Sequence, residues 1–221
     1  MVSAIIAAAG VGKRLGANVP KAFVQFKNMP LLAYTTKFFE ENNLIDEIIW
    51  VVPKDFIDVA KDIQLKYNFN KVKAIVEGGA TRQESVYNGL KMAKGEIVMI
   101  HDAARPLLTD FPFEKMIRLA EEKGAVVPVA PLTETLKFIS REKVLKTIPR
   151  ENLFCAKTPQ CFKRELILKA HERAKHHKKV FTDDSALVED MGAEVYTIEV
   201  SNYNIKITTK EDLEICEKLC E

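Results

Sequence analysis

The chain has 221 residues, with 33 Lys plus Arg against 31 Asp plus Glu and a net charge of +2 at pH 7. That length allows one large α/β domain whose core needs no staples, and the near-neutral balance argues against a nucleic-acid coat protein. No apolar run approaches the ~20 residues of a membrane span, and the first residues lack the basic region and cleavage site of a secretory leader, so a cytoplasmic protein is expected.

Residues 2–8 run apolar without alternation, which predicts a strand buried on both faces, as in a parallel sheet. Small residues and glycines follow, then cations: Gly10, Gly12, Lys13, Arg14, Gly16 and Lys21. This order suits a loop that cradles phosphate, because backbone N–H groups approach closely where side chains are small and the cations neutralise charge. Residues 31–42 show helical spacing. Residues 47–52 form the next strand, ended by Pro53, and residues 56–67 an amphipathic helix.

A short strand at 73–76 leads into Gly78-Gly79, and a helix runs from that turn to about residue 93. The strand at 96–100 delivers His101-Asp102-Ala103-Ala104-Arg105-Pro106 to its carboxyl end. A helix at 113–122 and a strand at 125–129 complete the alternation. The expected fold is therefore α/β, a doubly wound, mostly parallel sheet whose ligand lies beyond the carboxyl ends of its strands.

The pattern changes at 133–156, where residues 135–139 and 144–148 flank a polar tip, predicting a protruding β-hairpin arm on a single domain spanning 1–221. A lone hairpin is marginal in water, so a partner subunit is the expected support, with folding back on its own domain as the alternative. Helices at 163–177 and 184–191, a strand at 194–200, an extended segment at 204–208 and a helix from Lys210 finish the chain. Cys155, Cys161, Cys216 and Cys220 form no Cys-x-x-Cys pair, so no zinc site is expected. The basic run Lys175-His176-His177-Lys178-Lys179 reads as a solvated helix end.

Two common phosphate sites are excluded by spacing. A dinucleotide site needs an acidic residue after the second strand to hold a ribose, and Val52-Pro53-Lys54 stands there. A P-loop needs glycine where Ala7 stands and Ser or Thr where Arg14 stands. Asp102 is placed to hold Mg²⁺, which takes few protein ligands and several phosphate oxygens; its alternative is a salt bridge to Arg105. Arg105 can itself pair with a phosphate. Ser85 and the glycine backbone beside it can meet a base edge, although Ser85 also reads as an ordinary early-helix serine. Arg150 and the stretch from Thr182 to Ser185 can hold a second anion, and Thr182 also reads as a helix cap.

The ordered set Ala7-Ala8-Ala9-Gly10-x-Gly12-x-Arg14-Leu15, Pro20-Lys21, Gly78-Gly79-x-x-Arg82-x-x-Ser85-Val86-x-x-Gly89-Leu90, His101-Asp102-Ala103-Ala104-Arg105-Pro106, Thr158-Pro159-Gln160 and Asn204-Ile205-Lys206-Ile207-Thr208 resembles the 2-C-methyl-D-erythritol 4-phosphate cytidylyltransferase family over essentially the full length. The resemblance implies CTP and methylerythritol phosphate as substrates in non-mevalonate isoprenoid synthesis, Mg²⁺ as cofactor, and a homodimer built through the arm. It assigns Arg14, Lys21 and Lys206 to the reacting phosphates, and Ala8, Ala9, Gly10, Gly79, Ser85, Asp102 and Ala103 to CTP. Arg105, Thr135, Arg150 and Thr182 fall to the sugar phosphate, Thr135 and Arg150 from the partner subunit, and Asp102 to the metal. The alternatives are a ribitol 5-phosphate cytidylyltransferase, an NAD(P)-binding oxidoreductase, or a nucleotide-binding regulator without turnover.

Overall fold

A computed structural model describes residues 1–10, 12, 15–16 and 18–220. The chain begins with β1 (Val2–Ala7), a 3₁₀ turn at Lys21–Phe23, the two-residue strands β2 (Gln25–Phe26) and β3 (Met29–Pro30), and α1 (Leu31–Glu40). It continues through β4 (Glu47–Val52), α2 (Ile57–Lys66), β5 (Val72–Glu77), α3 (Arg82–Leu90), β6 (Ile97–Asp102), α4 (Phe113–Lys123) and β7 (Ala125–Pro131). The remainder comprises β8 (Leu136–Ser140), β9 (Lys143–Ile148), β10 (Phe154–Ala156), β11 (Gln160–Lys163), α5 (Arg164–His176), α6 (Ser185–Asp190), β12 (Tyr196–Glu199) and α7 (Lys210–Leu219).

The central sheet has eight strands, in the order β10-β7-β11-β6-β1-β4-β5, with β12 also paired to β7. β6, β1, β4 and β5 are mutually parallel and β12 is parallel to β7, while β10 and β11 are antiparallel to their neighbours. Alternate residues of each inner strand pack on opposite faces, which explains the unbroken apolar runs. Ala4 and Ile6 face a core with Leu32, Phe39 and Met116, whereas Ile5 faces one with Val86, Leu90 and Ile167. Trp50 is fully buried and its Nε1 donates to Thr36 Oγ1 at 3.0 Å. Truncating it to alanine would cost about 3–5 kcal/mol through lost transfer energy and a cavity.

Register aligns the carboxyl ends of three strands: Ala7 pairs with Val51 and with Asp102. Val51 pairs in turn with Val76 of β5, so the loops after β1, β5 and β6 emerge along one edge of the sheet. Gly78 follows β5 because a Cβ there would lie 2.3 Å from the Ala9 Cβ, so the two loops can meet only with glycine at that position. Thr81 caps α3 by accepting from Glu84 N at 3.1 Å, and Thr209 with Asp212 forms a capping box on α7, each cap contributing about 1 kcal/mol.

Several segments differ from the sequence expectation. β10 and β11 were not anticipated, since three or four residues beside Pro159 carry too little periodicity to announce a strand. Residues 204–208 lie outside the ladders, tied instead by Ile207 N donating to Ala104 O at 2.8 Å. α3 stops at Leu90, short of residue 93. The hairpin at β8 and β9 is present as a separate two-stranded sheet, turning through Arg141 and Glu142 at φ of +46° and +67°. Positive φ at both central residues matches the right-handed twist of paired strands.

Candidate active site

A cavity of about 400 Å³ opens where the aligned strand ends meet. One wall is backbone and small residues, from Ala7 through Gly10 and from Gly79 through Thr81, with Ser85 beneath. The Ser85 hydroxyl donates to Thr81 O at 2.8 Å and accepts from Gly79 N at 3.1 Å. Its proton is thus engaged, and what it offers a ligand is a lone pair. The other wall is charged, with Lys21, Arg82 and Lys206 around Asp102.

Asp102 ends β6 almost fully buried. Its Oδ1 accepts from Arg82 Nε at 2.9 Å and its Oδ2 from Lys206 Nζ at 2.6 Å, with Arg105 Nε 3.9 Å from Oδ2. Burial alone would raise the carboxyl pKa, but the Arg82 and Lys206 charges hold it well below the usual carboxylate range. Burial likewise pulls the Arg82 pKa down, and the charges of Asp184 and Asp102 more than restore it. Lys21 Nζ donates to Ile207 O at 2.8 Å, which brings this lysine beside the segment that carries Lys206.

Behind Asp102 lies a buried hydrogen-bonded network. His101 Nε2 faces Arg105 O at 3.0 Å, and because a carbonyl only accepts, the imidazole proton sits on Nε2. Nδ1 then accepts from the Thr158 hydroxyl at 2.9 Å, whose oxygen accepts from Asp102 N at 3.2 Å. Burial pushes the His101 pKa down to about 3, so the ring is uncharged at neutral pH. Asn204 Nδ2 donates to Thr158 O at 2.7 Å, and Arg105 Nη1 donates to Asn204 O at 2.8 Å. This network fixes Asp102, Arg105 and the approach to Lys206 as one unit.

The family model for 2-C-methyl-D-erythritol 4-phosphate cytidylyltransferase matches residues 2–221. The chain belongs to this cytidylyltransferase family. A cytidylyltransferase of this name from Clostridium botulinum strain Langeland is 47% identical over 222 residues, covering 99% of this chain and 97% of its own. One from Shouchella clausii is 40% identical, covering 98% of this chain and 95% of its own. Among solved structures, 4-diphosphocytidyl-2C-methyl-D-erythritol synthase from Anaerococcus prevotii superposes with a TM-score of 0.85 at 32% identity, covering 100% of this chain and 98% of that one. The cytidylyltransferase from Thermus thermophilus gives 0.84 at 31% identity, covering 98% and 97%.

In this chain, Ala8, Ala9, Gly10, Lys21, Gly79, Ser85, Asp102, Ala103 and Lys206 come together on that cavity. Arg14 lies outside the described residues. Arg105 is buried beside Asp102 rather than on the cavity lining, while Thr135, Arg150 and Thr182 are exposed and away from that lining. Arg150 Nη1 contacts Thr133 O of the same chain.

Sequence reading gave no role to Arg82, Thr158 or Asn204, though all three sat in the quoted motifs. Their signal was a polar residue at a fixed place within an otherwise glycine-rich or apolar stretch. No group of three or more His, Cys, Asp or Glu gathers among the described residues. A cation at Asp102 would take most of its ligands from phosphate oxygens and water. A single ionised carboxylate lining that cavity fits a Mg²⁺ of that kind. No described helix is long and apolar enough to cross a membrane.

Proposed function

We infer that this chain transfers the cytidylyl group of CTP to 2-C-methyl-D-erythritol 4-phosphate, releasing pyrophosphate, and that the cavity around Asp102 is where it does so. The observation that carries this reading is the opposition of the two walls: a backbone wall fit to read a base edge, and a cationic wall fit to hold a triphosphate. Family membership selects the methylerythritol substrate over the ribitol alternative. It also disfavours the oxidoreductase, as does the lack of a ribose carboxylate after β4, where Pro53 and Lys54 stand.

In this reading Gly79, Ala8 and Ser85 hold cytosine, and Ala103 with Asp102 faces the ribose and the metal. A phosphate monoester has a second pKa near ~6, so the attacking oxygen is already ionised at neutral pH and no general base is required. That oxygen forms a bond to the α-phosphorus as the bond to the β-phosphate bridging oxygen breaks, and the electron pair leaves with pyrophosphate. The barrier is repulsion between anions, and Arg14, Lys21 and Lys206 lower it by fixed positive charge. Asp102 would hold Mg²⁺, which when bound would supply further neutralisation of the phosphoryl oxygens. Lys206 rests on Asp102 and lines the same cavity, which places its charge on the triphosphate side in this reading.

The acceptor's phosphate is held by Arg105, Thr182 and, from a second copy, Thr135 and Arg150. The arm supports that arrangement with exposed apolar residues: Phe138, Ile139, Val144 and Leu145 are each more than half exposed. A homodimer covering them removes that surface from water.

The test is pyrophosphate release from CTP and Mg²⁺ with methylerythritol phosphate and, separately, ribitol phosphate. Release with the first alone supports the reading; release with only the second assigns the chain to the rival reaction.

A further inference from the structure

Arg82, the first residue of α3, bridges two carboxylates from different elements. Its Nε meets Asp102 Oδ1 at 2.9 Å and its Nη2 meets Asp184 Oδ2 at 2.8 Å. Asp184 immediately precedes α6 and its side chain is only 1% exposed. Such a carboxylate needs a reason to be buried, because desolvation opposes it.

Local structure supplies none. Asp184 makes no side-chain cap on α6, and the neighbouring Asp183 does that work, accepting from Ala186 N at 3.1 Å and from the Ser185 hydroxyl at 3.1 Å. Neither Asp184 oxygen has an aligned hydrogen bond. His171 Nε2 from α5 is 3.8 Å away, beyond hydrogen-bond reach, and its ring is stacked on Tyr87 of α3. The Arg82 guanidinium is thus the close contact that Asp184 retains.

A guanidinium fork released from a second anion closes in bidentate fashion on the first, engaging both carboxylate oxygens. At Asp102 that closure would take Oδ2, the oxygen that now accepts from Lys206. We propose that Asp184 is a positioning residue that acts through Arg82: by anchoring Nη2 it restricts Arg82 to Oδ1 of Asp102, and so leaves Oδ2 to Lys206 and the substrate side of the cavity. The same contact fixes the segment bearing Thr182 to the nucleotide half of the site. The inference rests on the roles given above to Asp102 and Lys206.

The experiment measures kcat and the KM for CTP in Asp184→Asn, Arg82→Lys, their double variant and Asp102→Asn, with thermal midpoints for each. Asp184→Asn preserves shape and removes the anchoring charge, and Arg82→Lys keeps charge and removes the fork. Each is expected to lower kcat by roughly tenfold or more while the KM for CTP changes less than about threefold, and the double variant is expected to be no worse than Arg82→Lys alone. A merely structural role would lower the midpoint and give multiplying losses. Wild-type kcat in Asp184→Asn, or losses that multiply in the double variant, overturns the proposal. If Asp184→Asn does not fold, wild-type kcat in Arg82→Lys overturns it instead. Undiminished activity in Asp102→Asn would remove the site assignment itself, whereas an inactive Asp102→Asn beside a fully active Asp184→Asn removes only the anchoring role.

Discussion

Lys206 and Asp102 meet across the cavity from chain positions 104 residues apart, with Nζ donating to Oδ2 at 2.6 Å. That contact holds the ammonium on the lining of the cavity. Replacing Lys206 with alanine is expected to lower kcat about 10²-fold, the scale of losing one preorganised donor. Steady-state pyrophosphate release measures it, and an unchanged kcat would remove Lys206 from the reacting centre.

Lys21 is held against Gly12, whose φ is +69° and at which a Cβ would stand 2.7 Å from the Lys21 Cβ. Two variants probe this contact. Lys21→Ala is expected to reduce kcat by about 10²-fold or more. Gly12→Ala is expected to reduce it by about tenfold, by displacing the lysine and straining a left-handed backbone position. A rise in KM with constant kcat would make Lys21 a ground-state binding residue.

The arm leads to a prediction about mixtures. If Arg150 serves the partner's site, then inactive Arg150→Ala and inactive Lys21→Ala chains, exchanged into hybrid dimers, should regain up to about half of one dimer's sites, as expected for a closed two-fold interface. No recovery after proven exchange would place Arg150 in its own subunit's site. Phe138→Glu, on the exposed hairpin, should shift sedimentation toward the monomer with little change in thermal midpoint. A dimer unaffected by Phe138→Glu would put the interface elsewhere.

His101 should leave a mark on acid stability. Its folded pKa of about 3 lies below the unfolded value of 6.5, so the unfolded chain binds more protons between those limits. Stability then rises with pH across that window and falls as the solution is acidified, by about 1.4 kcal/mol per pH unit. Asp102 and Asp184 act in the same direction, but only below the ordinary carboxylate pKa, since both are lowered in the fold. Urea unfolding between pH 4.5 and 6.5 isolates the imidazole, and His101→Gln should flatten the slope. An equal slope in both proteins would mean that His101 is not the group responsible.

The doubly wound sheet was legible because β1, β4 and β6 are buried on both faces and so read as unbroken apolar runs. Much of the cavity was legible too, since Gly10, Gly79 and Asp102 follow strands whose ends align. The ion ladder was not. Arg82 stood only as a member of a motif and Asp184 only as the start of a helix, and only folding brings α3 beside the segment before α6. Arg105 shows the same limit: the sequence places a cation next to the site, and its hydrogen bond to Asn204 O is a tertiary fact.

β11 enters the sheet against the direction of its neighbours, pairing Gln160 with Ile100 and Cys161 with Met99. A backward strand brings its beginning, not its end, to the edge where the parallel strands finish, which is why Thr158 arrives beside Asp102. Cys161 and Phe162 pack into the cores on opposite sides of the sheet. A slip of one residue would exchange their faces. Two greasy side chains of unequal size thus act as a ruler, setting how far Thr158 reaches toward the chemistry, and mutations that even out their volumes should blur that measurement before they unfold the protein.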